Sequence, residues 1–155
     1  MYGPCSETVH FPFHGAADGT LRPVAGVPAP VVGGQGDLLE VLTAPEADKI
    51  RIAISLAARR PDETVATAAV ARRLEETDLR DVRTLAHAAP GAEERGVHFA
   101  GRLASDGEDR IFVALGDRGV REWSQVPGAT AGRVLHLGWD GSPRGAGVPG
   151  WDPAA

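Results

Sequence analysis

A chain of 155 residues, 43% of them hydrophobic, can bury one core and is short for two ordinary domains. Its formal charge of −5 excludes a surface that attracts nucleic acid or anionic lipid all round, so any phosphate contact has to come from a local patch. Cys5 is the only cysteine, which excludes an internal disulfide and a thiolate-rich zinc site and fits a reducing cytoplasm.

Lys49 is the only lysine, and with abundant Ala, Gly and Val the Arg-rich remainder reads as a GC-rich, actinobacterial-like composition rather than as a sign of phosphate binding. The first residues carry no basic segment followed by an apolar run, and nowhere do about 18 apolar residues stand together. The expectation is a soluble, cytoplasmic protein with no membrane contact.

Residues 1–36 are rich in Pro and Gly, from Pro4 and Pro12 to Gly33-Gly-Gln-Gly36, and predict an extended arm. Val9, Phe11, Phe13, Val24, Val27, Val31 and Val32 give it enough apolar surface to dock in part on the domain. Cys5, His10 and His14 have the chemistry of metal ligands, but the Pro between the histidines opposes the helix that would join them, so no metal site is assigned.

A domain is expected over 37–137. Thr43-Ala-Pro-Glu46 has the form of a capping box and predicts a helix to about Arg60, with Ala47, Ile50, Ala53, Ile54 and Ala57 at helical spacing. Lys49-Ile-Arg-Ile-Ala-Ile-Ser55 also alternates as a strand would; the cap and the Ala-rich finish decide for helix. Thr67 caps a second predicted helix, Ala68 to Glu76, and Thr77 or Asp78 a third, Leu79 to Ala89, ended by Pro90-Gly91. Gly96 to Leu103 and Arg110 to Leu115 then predict a β-hairpin with Asp106-Gly107 at its tip. A helical turn around Val120 to Ser124, a strand at Arg133 to Leu137 and a Gly/Pro/Trp tail over 138–155 complete the chain. The class predicted is α+β: a three-helix unit and a hairpin between extended Pro/Gly-rich arms.

That order, with Thr67-Ala-Ala-Val-Ala-Arg-Arg-Leu74 as the second helix, resembles the winged helix-turn-helix superfamily. Ser105-Asp-Gly-Glu-Asp-Arg-Ile-Phe-Val-Ala-Leu-Gly-Asp-Arg-Gly119 is similar to the wing of MarR-type regulators. The resemblance implies a transcription regulator whose third helix enters the major groove of duplex DNA. Arg80, Arg83 and His87 would share its outward face, with Arg102 and Arg110 on the wing holding phosphates.

Other constellations point less far. Gly145-Ala-Gly-Val-Pro-Gly150 has the letters of a dinucleotide fingerprint but no following helix, and Gly33-Gly-Gln-Gly36 lacks the Lys and hydroxyl of a phosphate loop, so no cofactor is expected. No nucleophile elbow or zinc-protease helix can be read, and acid/base catalysis finds no support. His87, His98 and His136 stand isolated in sequence and read as ordinary helix or strand residues. Trp139 and Trp151, each followed by Asp in a Gly/Pro setting, could anchor a protein partner together with the N-terminal arm. This protein-interaction module is the alternative to DNA recognition.

Overall fold

The alternation in Lys49-Ile-Arg-Ile-Ala-Ile-Ser55 governs the structure. The computed structural model describes residues 13–15, 19–46, 49–92 and 96–144; for 13–15, 49, 71 and 72 it describes the backbone alone. In chain order the strands are β1 (Phe13–Gly15), β2 (Leu21–Pro23), β3 (Leu38–Glu46), β4 (Lys49–Arg59), β5 (Val65–Glu75), β6 (Asp78–His87), β7 (Ala100–Ser105), β8 (Arg110–Leu115) and β9 (Val134–Gly138). They form three antiparallel sheets, ordered β1-β2, β3-β4-β5-β6 and β7-β8-β9.

Along β4 the side chains divide between two buried faces. Ile52, Ile54 and Leu56 pack with Val70, Leu74 and Leu79 beneath Val24 of the N-terminal segment. Ala53 faces the third sheet, where it joins Ala66, Ala69, Leu85, Ile111, Val113, Leu135 and Leu137. The small side chains on this second face let the sheets approach closely, and the Ser55 hydroxyl donates to the Gly101 carbonyl across the gap at 2.5 Å. Each fully buried Leu or Ile contributes about 1.5–3 kcal/mol through apolar area removed from water, so this stack of layers is the core.

The expected α+β class and the winged-helix resemblance are overturned: the three stretches predicted as helices are β3 with β4, then β5, then β6. Ala favours helices in isolation, but here tertiary packing overrides propensity by using Ala as the filler of a narrow gap. Helical spacing in the 47–57 stretch was matched because both faces of β4 are buried, so apolar residues occur at every phase. Thr43-Ala-Pro-Glu46 ends β3, an edge strand, where Pro45 is tolerated because no outer neighbour needs its missing donor. Thr67 caps nothing; it is buried, and its hydroxyl donates to the Phe99 carbonyl.

The hairpin with Asp106-Gly107 at its tip is present as β7 and β8, Arg121–Gln125 forms a 3-10 turn, and Val134–Gly138 is a strand. Part of the N-terminal arm docks. Ala25 bridges to Asp78, with Ala25 N donating to the Thr77 carbonyl at 2.8 Å, and Val31 N donates to the Ala57 carbonyl at 2.7 Å. Stacked antiparallel sheets of up to four strands, with β7 packed on β3 and β4, match blades of a β-propeller-like fold. No described helix is long and apolar enough to cross a membrane.

Candidate active site

Three loops converge where the second and third sheets meet: 33–36 ahead of β3, 96–99 ahead of β7, and 116–119 after β8. The first is the Gly-Gly-Gln-Gly segment, closed on itself by Gly33 N to Gly36 O at 3.1 Å and Gly36 N to Gly33 O at 2.8 Å. Gly34 has φ 60°, and a Cβ there would collide with the Gly96 carbonyl oxygen. Its role is therefore close approach of two backbones, not a phosphate cradle. The contact lets Gln35 N donate to Gly96 O at 2.6 Å, while the Gln35 side-chain oxygen accepts from His98 N at 2.9 Å.

His98 is held in a left-handed conformation, φ 52°, uncommon for a residue with a Cβ. Its flanking carbonyls are all engaged. Val97 O accepts from the Arg118 guanidinium, His98 O from Arg118 N at 3.2 Å, and Phe99 O from Gly116 N at 2.9 Å. Arg118 also donates from Nε to Val65 O at 3.1 Å and stacks its guanidinium 3.6 Å from the Phe99 ring centre. It is 1% exposed, and burial pushes its pKa below the usual guanidinium value. This buried cation clamps both neighbours of His98.

The side chain so placed meets a carboxylate. His98 Nδ1 lies 2.9 Å from Asp117 Oδ1, which also accepts from Gly119 N at 2.9 Å. The Gly119 amide first, and then the His98 ring, hold the Asp117 carboxyl below the usual carboxylate range. An ionised carboxylate only accepts, so Nδ1 is the donor to Asp117, which leaves Nε2 as the nitrogen that can take up a proton. Beside the pair is an open cavity of about 320 Å³, walled by His98, Asp117, Gly132 and Arg133. A second, of about 740 Å³, lies on the Gly34, Gly96 and Arg118 side. The volumes are those of ligand clefts. An oriented histidine with a free Nε2 at such a cleft can take a proton from a hydroxyl.

The residues expected to meet DNA do not form one surface. Arg80 is 3.7 Å from Asp78, Arg102 donates to Glu40 at 2.5 Å and Arg110 pairs with Asp106 at 3.0 Å. His87 is half-buried at the end of β6, where burial, and secondarily the charge of Arg60, lower its pKa. Arg83 lies on the far side of a bulge from Arg80 and lines a different, charged cleft. Trp139 is buried against the core and stacked under Arg51. Trp151, Cys5 and His10 lie outside the described residues, as does the side chain of His14. Among the described residues no three His, Cys, Asp or Glu are grouped to hold a metal.

Sequence reasoning missed Gln35, His98 and Asp117 because they are far apart in the chain, 19 residues separating the last two. The signal present was glycine: Gly33-Gly-Gln-Gly36 and Gly116-Asp-Arg-Gly119 flank the strands in turn-forming runs that no helix or hairpin required.

The profile of the glucose/sorbosone dehydrogenase family matches residues 13–148. The aldose sugar dehydrogenase YliI of Escherichia coli (strain K12) is 34% identical over 125 residues, which are 79% of this chain and 33% of that protein. A crystal structure of glucose dehydrogenase superposes with a TM-score of 0.77 at 31% identity, covering 91% of this chain and 43% of the other. The soluble aldose sugar dehydrogenase of Escherichia coli, in its apo form, gives 0.69 at 32% identity, over 84% and 38%. The chain thus spans between 33% and 43% of the length of these relatives. These similarities overturn the expectation of a DNA-binding transcription regulator, and they do not favour a protein-interaction module.

Proposed function

The chain belongs to the glucose/sorbosone dehydrogenase family, and from that premise we propose that it is the part of a sugar dehydrogenase that supplies the base, His98, for oxidation of an aldose. The observation that carries the reading is the 2.9 Å contact between His98 Nδ1 and Asp117, made by a histidine whose backbone is held at φ 52°.

In such an oxidation the sugar carbinol loses its O–H proton and its C–H hydrogen with the bonding pair, and a carbonyl forms. Nε2 of His98 accepts the proton, and Asp117 fixes the ring's tautomer and stabilises the imidazolium produced. The hydride, with two electrons, passes to a two-electron acceptor. Gln35 and Arg118 keep the imidazole at one height and angle above the cleft, which matters because small misplacements of a base cost large factors in rate.

The test is aldose-dependent reduction of an acceptor dye by the whole polypeptide, compared with His98→Gln. The variant is expected to lower kcat by about 10²–10⁴-fold and to keep the parent's melting temperature, since the His98 side chain is 59% exposed. A variant as fast as the parent, or a parent that oxidises no aldose, rejects the reading.

A further inference from the structure

Among the described residues four polar or charged side chains are buried, Ser55, Thr67, Arg118 and Thr130, and three of them bind carbonyls of one short segment, 97–101. We propose that two of these, Thr67 on β5 and Ser55 on β4, are positioning residues for the His98 base, setting the conformation of its loop through the Phe99 and Gly101 carbonyls. The roles assigned to them rest on His98 being the base of the proposed oxidation.

The segment is one that needs holding. His98 and Ala100 have φ 52° and 57°, left-handed values that are costly for a residue with a Cβ, and Gly101 follows at φ 101°. A return of His98 to negative φ would redirect its Cα–Cβ bond and take the ring away from Asp117. A hydroxyl buried without a partner is unfavourable, so one with a single acceptor in reach keeps that acceptor in place.

Thr67 and Ser55 are fully buried and share one face of the two inner strands, where Thr67 pairs with Ala57 and Ser55 with Ala69. The Thr67 hydroxyl donates to Phe99 O, which also accepts from Gly116 N at 2.9 Å, so both lone pairs of that carbonyl are used. One donor comes from β5 and the other from the residue before Asp117. This joint ties the His98 loop, the Asp117 loop and β5 together beside the His98–Asp117 pair. How closely the loops meet shows at Gly116, where a Cβ would fall on the His98 carbonyl. Ser55 Oγ donates to Gly101 O at 2.5 Å, so the two hydroxyls bracket the left-handed Ala100. Thr130, the fourth buried polar residue, accepts from Ala89 N at 2.8 Å and donates to His87 O at 3.0 Å, apart from this loop.

The test reads the imidazole itself as well as turnover. The protein carries five histidines, so ¹⁵N-histidine labelling of the whole polypeptide gives a short spectrum in which His98→Gln identifies one ring. Its Nδ1 and Nε2 shifts report the tautomer once the pH is raised until the ring is neutral. The Nδ1–H form is expected to dominate in the parent and to give way to a mixture in Thr67→Val, with kcat for aldose oxidation lowered by about 10–10²-fold through misplacement of the base and KM unchanged. Ser55→Ala should act in the same direction and more weakly, and it decides the matter if Thr67→Val does not fold. Thr67→Ser, which restores the donor, should return both readouts to the parent's. Thr130→Val, which removes a buried hydroxyl elsewhere, should lower the melting temperature and leave the His98 ring and kcat as they are. A parent that oxidises no aldose refutes the base reading, and the tautomer spectra then still decide whether the two hydroxyls hold the ring. Parent-like spectra or a parent-like kcat in the folded variants, a loss that Thr67→Ser shares, or an equal disturbance of His98 in Thr130→Val overturns the proposal.

Discussion

The β3–β6 sheet and the β7–β9 sheet are built on opposite relations to solvent. In the first of these two, β4 and β5 are covered on both faces, on one by the N-terminal segment through Val24 and on the other by the β7–β9 sheet, while β3 and β6 at the edges keep exposed positions. The third sheet buries Ile111, Val113, Leu115, Leu135 and Leu137 inward and turns Phe112, Val134 and His136 outward. No catalytic candidate lies on β3 to β6, whereas His98 and Asp117 lie on loops at the ends of β7 and β8. One sheet is doubly packed, and the other carries the candidate site on its rims.

If that division holds, truncation in the scaffold should have the largest effect on stability. Leu56→Ala, at a residue 2% exposed inside the doubly covered sheet, is expected to destabilise by about 2–5 kcal/mol. Phe112→Ala, on the outward face where the ring makes an edge contact with His136 at 4.6 Å, should cost clearly less despite removing more atoms. Denaturant melts of both variants decide it, and equal losses would break the distinction between the sheets. Overpacking comes next: Ala53→Leu forces a large side chain into the gap between the sheets and should cost about 1–3 kcal/mol. Smaller again is Gly107→Ala at the hairpin tip, where φ is 85° and an added Cβ meets nothing within 4 Å. Only backbone strain is at stake there, about 1 kcal/mol, and a larger loss would mean that the tip packs against something.

The same contrast explains what could be read from the sequence. In β8 the pattern Arg110-Ile-Phe-Val-Ala-Leu115 buries every second residue, and the Asp106-Gly107 turn is local chemistry, so the hairpin was legible. In β4 and β5 a partner on each face removes the polar phase of the alternation and puts Ala where the sheets meet, and a strand then carries the composition of a helix. The site was less legible than the fold. His98 depends on Gln35, Arg118 and Asp117 for its position, and those bonds exist only once three loops meet.

The smallest effect concerns a titration that the division assigns to the scaffold. His87 ends β6 with Nδ1 buried and without an acceptor among the described residues. Burial, and then the Arg60 charge, lower its folded pKa below the ordinary value of about 6.5. The unfolded chain therefore binds this proton first as the pH falls, so the contribution of His87 to stability is fully present above about pH 6.5 and is lost as the pH drops towards the lowered folded value. His87→Gln, neutral throughout, should flatten that segment of a melting temperature against pH curve while leaving the shape of the curve above it unchanged. Because the affected group lies in β6, away from the candidate site, the slope of any aldose-dependent activity with pH should be the same in parent and variant. Parallel melting curves for the two proteins would remove His87 from the account, and a change in the pH dependence of activity would show that the scaffold sheet and the site titrate together.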